Sequence, residues 1–423
     1  MLLGKSSAYR QVFATDRTEA RLALVALHLL LLLPVMMAFS RTAAEIIAGL
    51  ISLLFLSRSF RAKDWRWLKQ ATVIIALALW AYSALVVTPF ALDPRASFSR
   101  VDWIRFIPMF AAIVYWLSGY HQELRRVALG VLILLLLAGA DALYQYCTGF
   151  SLTGTPYENG RLTGPFEKVV VGIYIAKMSL PVLGILLYYA WTENRRRTKI
   201  GLLLALVFFF AVIMFSNERS ATLTFTLGIG LLACGFFIFF RRTRRAVMIA
   251  LSAVIVLIAV AYQSQPMLQK RLHVTHQMLE QFSNSEYAQL WKASILLWQE
   301  HPITGVGMLN FRSACPKLLD EGRVLFCNAH SHNLYLEVLS EFGTPGFVLM
   351  LVLVMSLITT VVERHRPQPR EHIILTLFAA AGLLINFFPV APTQSFFSNW
   401  PALLAWQSIA WSLAIARGRD KAN

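Results

Sequence analysis

Residues 22–39 read LALVALHLLLLLPVMMAF, a run without Asp, Glu, Lys or Arg, bounded by Arg21 and Arg41. A helix of that length is about 27 Å long, close to the roughly 30 Å hydrocarbon core of a bilayer. Only a backbone that satisfies its own hydrogen bonds crosses such a layer, so the run predicts a transmembrane helix. Similar runs recur at 43–57, 71–90, 104–120, 127–147, 169–191, 200–215, 221–240, 246–263, 345–362, 373–391 and 400–416. The expectation is an all-α polytopic membrane protein with about twelve transmembrane helices. The run at 43–57 is short and predicts a tilted or partly re-entrant helix. Composition agrees: 57% of residues are hydrophobic and 14% charged, against about 25% charged in soluble domains. No small-residue cleavage site follows the first run, which reads as a signal anchor.

Charge orders these runs in space. The basic connectors are the N-terminus (Lys5, Arg10, Arg17, Arg21), Arg58–Lys69, Arg125–Arg126, Arg195–Lys199, Arg241–Arg245, Arg364–Arg370 and Arg417–Lys421. Every second connector belongs to this set, and together they hold most of the 39 Lys and Arg. The positive-inside rule places all seven, and both termini, in the cytoplasm. The formal net charge of +17 therefore reads as topology, not as a nucleic-acid surface. The outer connectors are a turn near Arg41, residues 91–103, 148–168, Asn217–Arg219, 264–344 and 392–399. Three regions follow: transmembrane helices over 1–263, a large, partly helical outer loop over 264–344, and three further helices with a cytoplasmic end over 345–423. A loop of about 80 residues is too long for a passive connection, and chemistry is expected there. Within it Glu286–Glu300 predicts a helix, stopped by the Pro-Gly-rich turn His301–Gly307.

Five of the nine histidines (His273, His276, His301, His330, His332) fall in that loop. The segment AHSHNLYLEVLSEFGTPG (Ala329–Gly346) predicts a helix from about Asn333, ended by Gly343 and Pro345. His332 would stand at its start, where the N-terminal backbone favours neutral imidazole. It is a candidate base or a capping residue. Arg161 (in ENGRLTGPF), Arg219 (in the short turn SNERSA) and Arg271 are candidate anion ligands, since guanidinium grips phosphate bidentately. Arg95, Arg100 and Arg105 gather at the outer end of the fourth run, where snorkelling to headgroups is the alternative. Glu218 stands beside Arg219 and is expected to orient it. Lys177 and Asp141 lie inside apolar runs and are expected to pair structurally or to line a common cavity. Cys315 and Cys327 can form a disulfide if the outer side is oxidising. With the nearby histidines they lack C-x-x-C spacing for zinc. HExxH, a P-loop, GxGxxG and acidic metal clusters are absent, so no metal or other cofactor is expected.

His332-Asn333, nine residues, Gly343, two residues, Gly346 resembles the H-N-x9-G-x-x-G pattern of the O-antigen ligase/O-antigen polymerase superfamily. HPITGVGMLNF (His301–Phe311), SNERSA and RLTGPF resemble that family's other conserved segments, in family order across residues 160–346. The chain departs from the pattern at Tyr287, four residues before Trp291, where members often carry arginine. The resemblance implies metal-free, inverting transfer of a glycan from undecaprenyl pyrophosphate, on the periplasmic face of a bacterial inner membrane. The compact length and single large late loop favour an O-antigen ligase, with lipid A-core oligosaccharide as acceptor. O-antigen polymerase and protein O-oligosaccharyltransferase are the alternatives within the family. A transporter or flippase predicts internal symmetry, which the chain lacks. His332 is the expected base. Arg161, Arg219 and, more weakly, Arg271 are the expected pyrophosphate ligands, with Asn333 orienting the imidazole and Glu218, His330 and His301 in supporting places. Membrane lipids are the other expected partners.

Overall fold

A computed structural model of the chain describes residues 17–119, 121–264, 269–270, 273, 280, 282–362 and 371–417. Arg271, His276 and the basic cluster at 364–370 lie outside the described residues.

A helix occupies most of each of the twelve apolar runs. In chain order they begin with α1 (Arg17–Phe39), α2 (Arg41–Arg61), α3 (Ala71–Tyr82, prolonged by the wider turn Ser83–Val87) and α4 (Phe106–Gly119). There follow α5 (His121–Thr148), α6 (Val171–Thr192), α7 (Arg196–Ser216), α8 (Arg219–Phe239) and α9 (Arg244–Ser264). The long connector carries α10 (Glu286–Glu300) and α11 (Phe311–Asp320), and the chain ends with α12 (Leu334–Val362), α13 (His372–Phe387) and α14 (Asn399–Arg417). No strand is present among the described residues. Nine helices there are long and apolar enough to cross a membrane, while α3 with its wider turn and α13 are shorter apolar helices. The protein is an all-α polytopic membrane protein. The second helix differs from the short one expected. It runs from Arg41 to Arg61 because Ser40 Oγ accepts the Ala43 N–H at its start, and polar residues flanking the apolar run join the helix.

The bundle is built around α6, which packs against α5, α7, α13 and α14. Without a hydrophobic drive between helices in lipid, close approach has to come from small residues. Gly184 of α6 and Gly235 of α8 supply it: an added Cβ would stand 2.5 Å from Phe378 and 2.3 Å from Leu377, both on α13. At the end holding the basic connectors, Arg58 is buried between Asp64 (2.7 Å) and Glu19 (3.3 Å), over the Tyr115 ring. Arg125 pairs with Glu193 at 2.7 Å. Part of the basic balance thus ties connectors to one another.

At the other end the long connector folds onto α12. That helix breaks at Gly343 (φ 69, ψ −172), as the Gly343–Pro345 sequence predicts. The break frees backbone groups that need partners. Val306 and Gly307 N–H donate to the carbonyls of Ser340 and Glu341 (2.9 and 3.1 Å), and Thr344 N–H donates to Pro302 O (2.8 Å). The two motifs His301–Phe311 and His332–Gly346 are therefore one structural unit. A Cβ on Gly343 would lie 2.2 Å from the Ile303 carbonyl oxygen, in a conformation open essentially to glycine alone. Gly343→Ala is expected to cost more than about 3 kcal/mol, combining that strain with the backbone clash. A fall in thermal unfolding temperature in bicelles, with loss of transfer activity, is the check.

Beyond the break, α10 and α11 enclose a small second core of Leu290, Leu297, Phe311, Leu318 and Val324. Cys315 and Cys327 are joined by a disulfide there, their Cα atoms 5.8 Å apart. The 91–103 connector, which carries Arg95 and Arg100, docks on the same unit. Asn310 Oδ1 accepts the Asp93 N–H (2.7 Å), and its Nδ2 donates to Ser97 Oγ (2.8 Å).

Candidate active site

Four connectors converge on one cavity of about 440 Å³, all of them outer in the charge-derived topology. Arg161 comes from 148–168, Glu218 and Arg219 from the short turn, Tyr287 and His332 from the long connector, and Thr393, Gln394 and Phe396 from 392–399. Ile173, Ile385, Leu404 and Ala405 supply an apolar wall.

The two arginine segments are fixed to each other. Asn217 takes the left-handed conformation (φ 58) that ends α7, and its Nδ2 donates to Gly160 O at 2.6 Å. The Arg161 turn is held from below by buried Gln145, whose Oε1 accepts the N–H groups of Thr163 and Gly164 (2.9 and 3.0 Å). Glu218 accepts the N–H groups of Gly172 and Ile173 (2.5 and 3.2 Å) and so caps the first turn of α6. A carboxylate suits that positive helix end. Burial pushes Glu218 up to about 7, against the pull of these N–H groups and of Arg161. A Cβ on Gly172 would stand 2.8 Å from Glu218 Oε1, which is why this contact needs glycine. Glu218 therefore supports α6 and faces Arg161, a wider role than the expected one of orienting Arg219.

His332 precedes α12 in a left-handed conformation (φ 53), uncommon for a residue with a Cβ. Its carbonyl accepts the Thr393 N–H (3.0 Å), fixing it to the 392–399 connector. Asn328 Nδ2 lies 3.3 Å from Nε2, and the Tyr287 ring meets the imidazole edge-on at 6.1 Å between centroids. Burial holds His332 below the usual histidine value, only partly opposed by Glu286 and by a hydrogen bond between the imidazole and the Thr393 backbone. The His330 ring lies 4.0 Å away, and burial together with His332 pushes it down to about 4. Both imidazoles are thus neutral at neutral pH.

Several expected roles fall differently. Asn333 does not touch the imidazole: its Oδ1 caps α12 through Tyr335 and Leu336 N–H (3.0 and 3.1 Å), and its Nδ2 donates to Pro389 O (2.7 Å). The reach of an asparagine at a helix start explains this, since the first free N–H groups lie on the helix side. His301 ends α10, its N–H donating to Leu297 and Trp298 carbonyls, and it is not among the residues lining this cavity. Lys177 and Asp141 do not pair. Asp141 Oδ1 accepts the Leu152 N–H, whereas Lys177 lines the cavity. Among the described residues the Lys177 ammonium has no hydrogen-bond or ion-pair partner. Asn328 and Gln145 gave no motif signal in the sequence. Lys177 did give one, a lone ammonium in an apolar run.

Residues 204–351 match the family model described as O-antigen ligase. Over that stretch, about a third of the chain, the protein is similar to the O-antigen ligase family. The matched stretch contains Arg219, Tyr287 and His332, while Arg161 and Lys177 precede it. No curated protein matches the chain. Together with its apolar helices, the similarity describes a multi-pass membrane protein with a segment like that of O-antigen ligases. The cavity brings together three cations, an imidazole and apolar helix faces.

Proposed function

We propose that this protein is an O-antigen ligase, transferring the glycan from undecaprenyl pyrophosphate to a sugar hydroxyl of lipid A-core on the periplasmic face of the inner membrane. One observation carries the reading: Arg161, Arg219, Lys177 and His332, drawn from four separate parts of the chain, line a single cavity. The donor's pyrophosphate lies among the three cations, its polyprenyl chain along Ile173, Ile385 and Leu404. His332 takes the proton of the acceptor hydroxyl. That oxygen bonds to the anomeric carbon as the carbon–oxygen bond to pyrophosphate breaks, the electron pair leaving on the phosphate oxygen. The cations stabilise the departing charge, configuration inverts, and no metal is needed. Lys177 fills the place in the cation set left by Tyr287, where the family pattern often has arginine.

The test uses the full chain in nanodiscs with lipid-linked O-antigen. Lipid A-core added to this mixture is expected to yield a glycan-bearing lipid A-core product. Omission of lipid A-core is expected to leave the donor unchanged. Growth of longer donor-linked chains without lipid A-core would assign the protein to polymerisation and overturn this reading.

A further inference from the structure

A second cavity, of about 200 Å³, lies beside the first and is lined by Arg100, Arg312, His330, Glu337, Glu341 and Ser395. The two share a wall. His330 lines the second and His332 the first, with their rings 4.0 Å apart, and Ser395 falls between Gln394 and Phe396 of the first lining. The charge content differs. The first cavity gathers three cations against one carboxylate, which caps a helix, and so suits an anion. The second combines two guanidinium groups, two carboxyls, an imidazole and two serine hydroxyls, a mixed set of donors and acceptors that suits a ligand rich in hydroxyls.

We infer that this second cavity is the acceptor subsite, where a saccharide is held with one hydroxyl turned toward His332. The inference rests on the glycan-transfer reading above. Inverting displacement requires the nucleophile to approach opposite the leaving group. With the cations of the first cavity holding the leaving pyrophosphate, the acceptor needs a separate place beside His332, and the second cavity adjoins it through His330, 4.0 Å from the His332 ring. Carboxyls accept from sugar hydroxyls and guanidinium groups donate to them. Glu341 is held in place by the N–H groups of Leu309 and Phe311 (3.0 and 3.3 Å), and Glu337 by that of Phe396 (3.3 Å). Their positions are therefore fixed before a ligand arrives. Leu309, also on the lining, is in a left-handed conformation (φ 65), a strain of the sort that gathers at binding sites. Two buried nitrogens bordering the cavity, His330 Nε2 and Arg100 Nε, have no hydrogen-bond partner. Arg100 still reaches Asn399 Oδ1 through Nη1 (2.8 Å).

Arg312 is exposed, so its replacement leaves the fold intact. In the reconstituted transfer assay Arg312→Ala is expected to raise KM for the lipid A-core acceptor about tenfold. The KM for the lipid-linked donor and the thermal unfolding temperature are expected to stay unchanged. The same saccharide freed of lipid is expected to compete with the acceptor but not with the donor, and more weakly in the variant. An acceptor KM within twofold of wild type, or a shift in donor KM instead, would overturn the subsite while leaving the transfer reading intact. Failure of the wild-type protein to transfer at all would instead remove the reading on which it rests.

Discussion

His332→Asn is expected to reduce transfer by about 10²–10⁴-fold, the range for loss of a general base, with little change in stability. Asparagine is the informative replacement because His332 sits at φ 53, where asparagine is tolerated and alanine adds strain. The loss then reports the missing imidazole and not a disturbed backbone. The pH profile gives a second readout. Burial lowers the His332 pKa from its ordinary 6.5, so the neutral, proton-accepting form persists to lower pH than for a free histidine. Activity is expected to hold through neutrality and to fall as pH drops through that lowered value. Two neighbours could blur the limb. His330, down to about 4, titrates at lower pH. Glu218, up to about 7, is removed by measuring the profile in Glu218→Gln. An acid limb at or above pH 6.5 in that background, or near-normal transfer by His332→Asn, would remove His332 as the base.

The helices were legible because membrane crossing has a one-dimensional signature, apolar length, and that signal is local. The site was partly legible for a different reason. Arg161, Arg219 and His332 stand in short segments whose glycines and asparagines mark backbone turns, and turns of that sort are how a chain presents side chains. What stayed hidden depends on long-range contacts. Asn333 read as a partner for the imidazole, yet the free N–H groups of its own helix are nearer. Asp141 and Lys177 read as a pair because opposite charges in lipid seek each other. The Asp141 carboxylate instead meets the Leu152 N–H, which only the folded 148–168 connector brings within reach. The docking of Pro302–Gly307 onto the Gly343 break likewise joins stretches that the sequence shows only as two separate motifs.

Lys177→Met is expected to reduce transfer by about 10²–10³-fold, comparable to loss of one donor from a preorganised charge-stabilising site. The same change is expected to leave the protein as stable as before, or more so. Lys177 lies six residues into α6, about 9 Å from its N-terminal end, and lines the cavity, its ammonium having no protein partner among the described residues. A cation within a membrane helix costs about 2.5–3.5 kcal/mol on insertion scales. A lysine serving only the fold would offset that cost with a carboxylate, and methionine in its place would destabilise. A lysine held for an anionic substrate keeps the cost in the empty protein and recovers it on binding. Methionine then relieves the cost while removing the contact, so activity and stability move in opposite directions. Lys177→Arg keeps the charge and is expected to restore part of the lost activity. Added undecaprenyl pyrophosphate sharpens the distinction, since it should raise the unfolding temperature of the wild type and of Lys177→Arg but much less that of Lys177→Met. A joint fall in stability and activity in Lys177→Met, with undiminished stabilisation by undecaprenyl pyrophosphate, would return Lys177 to a purely structural role and leave Arg161 and Arg219 as the cations of the donor cavity.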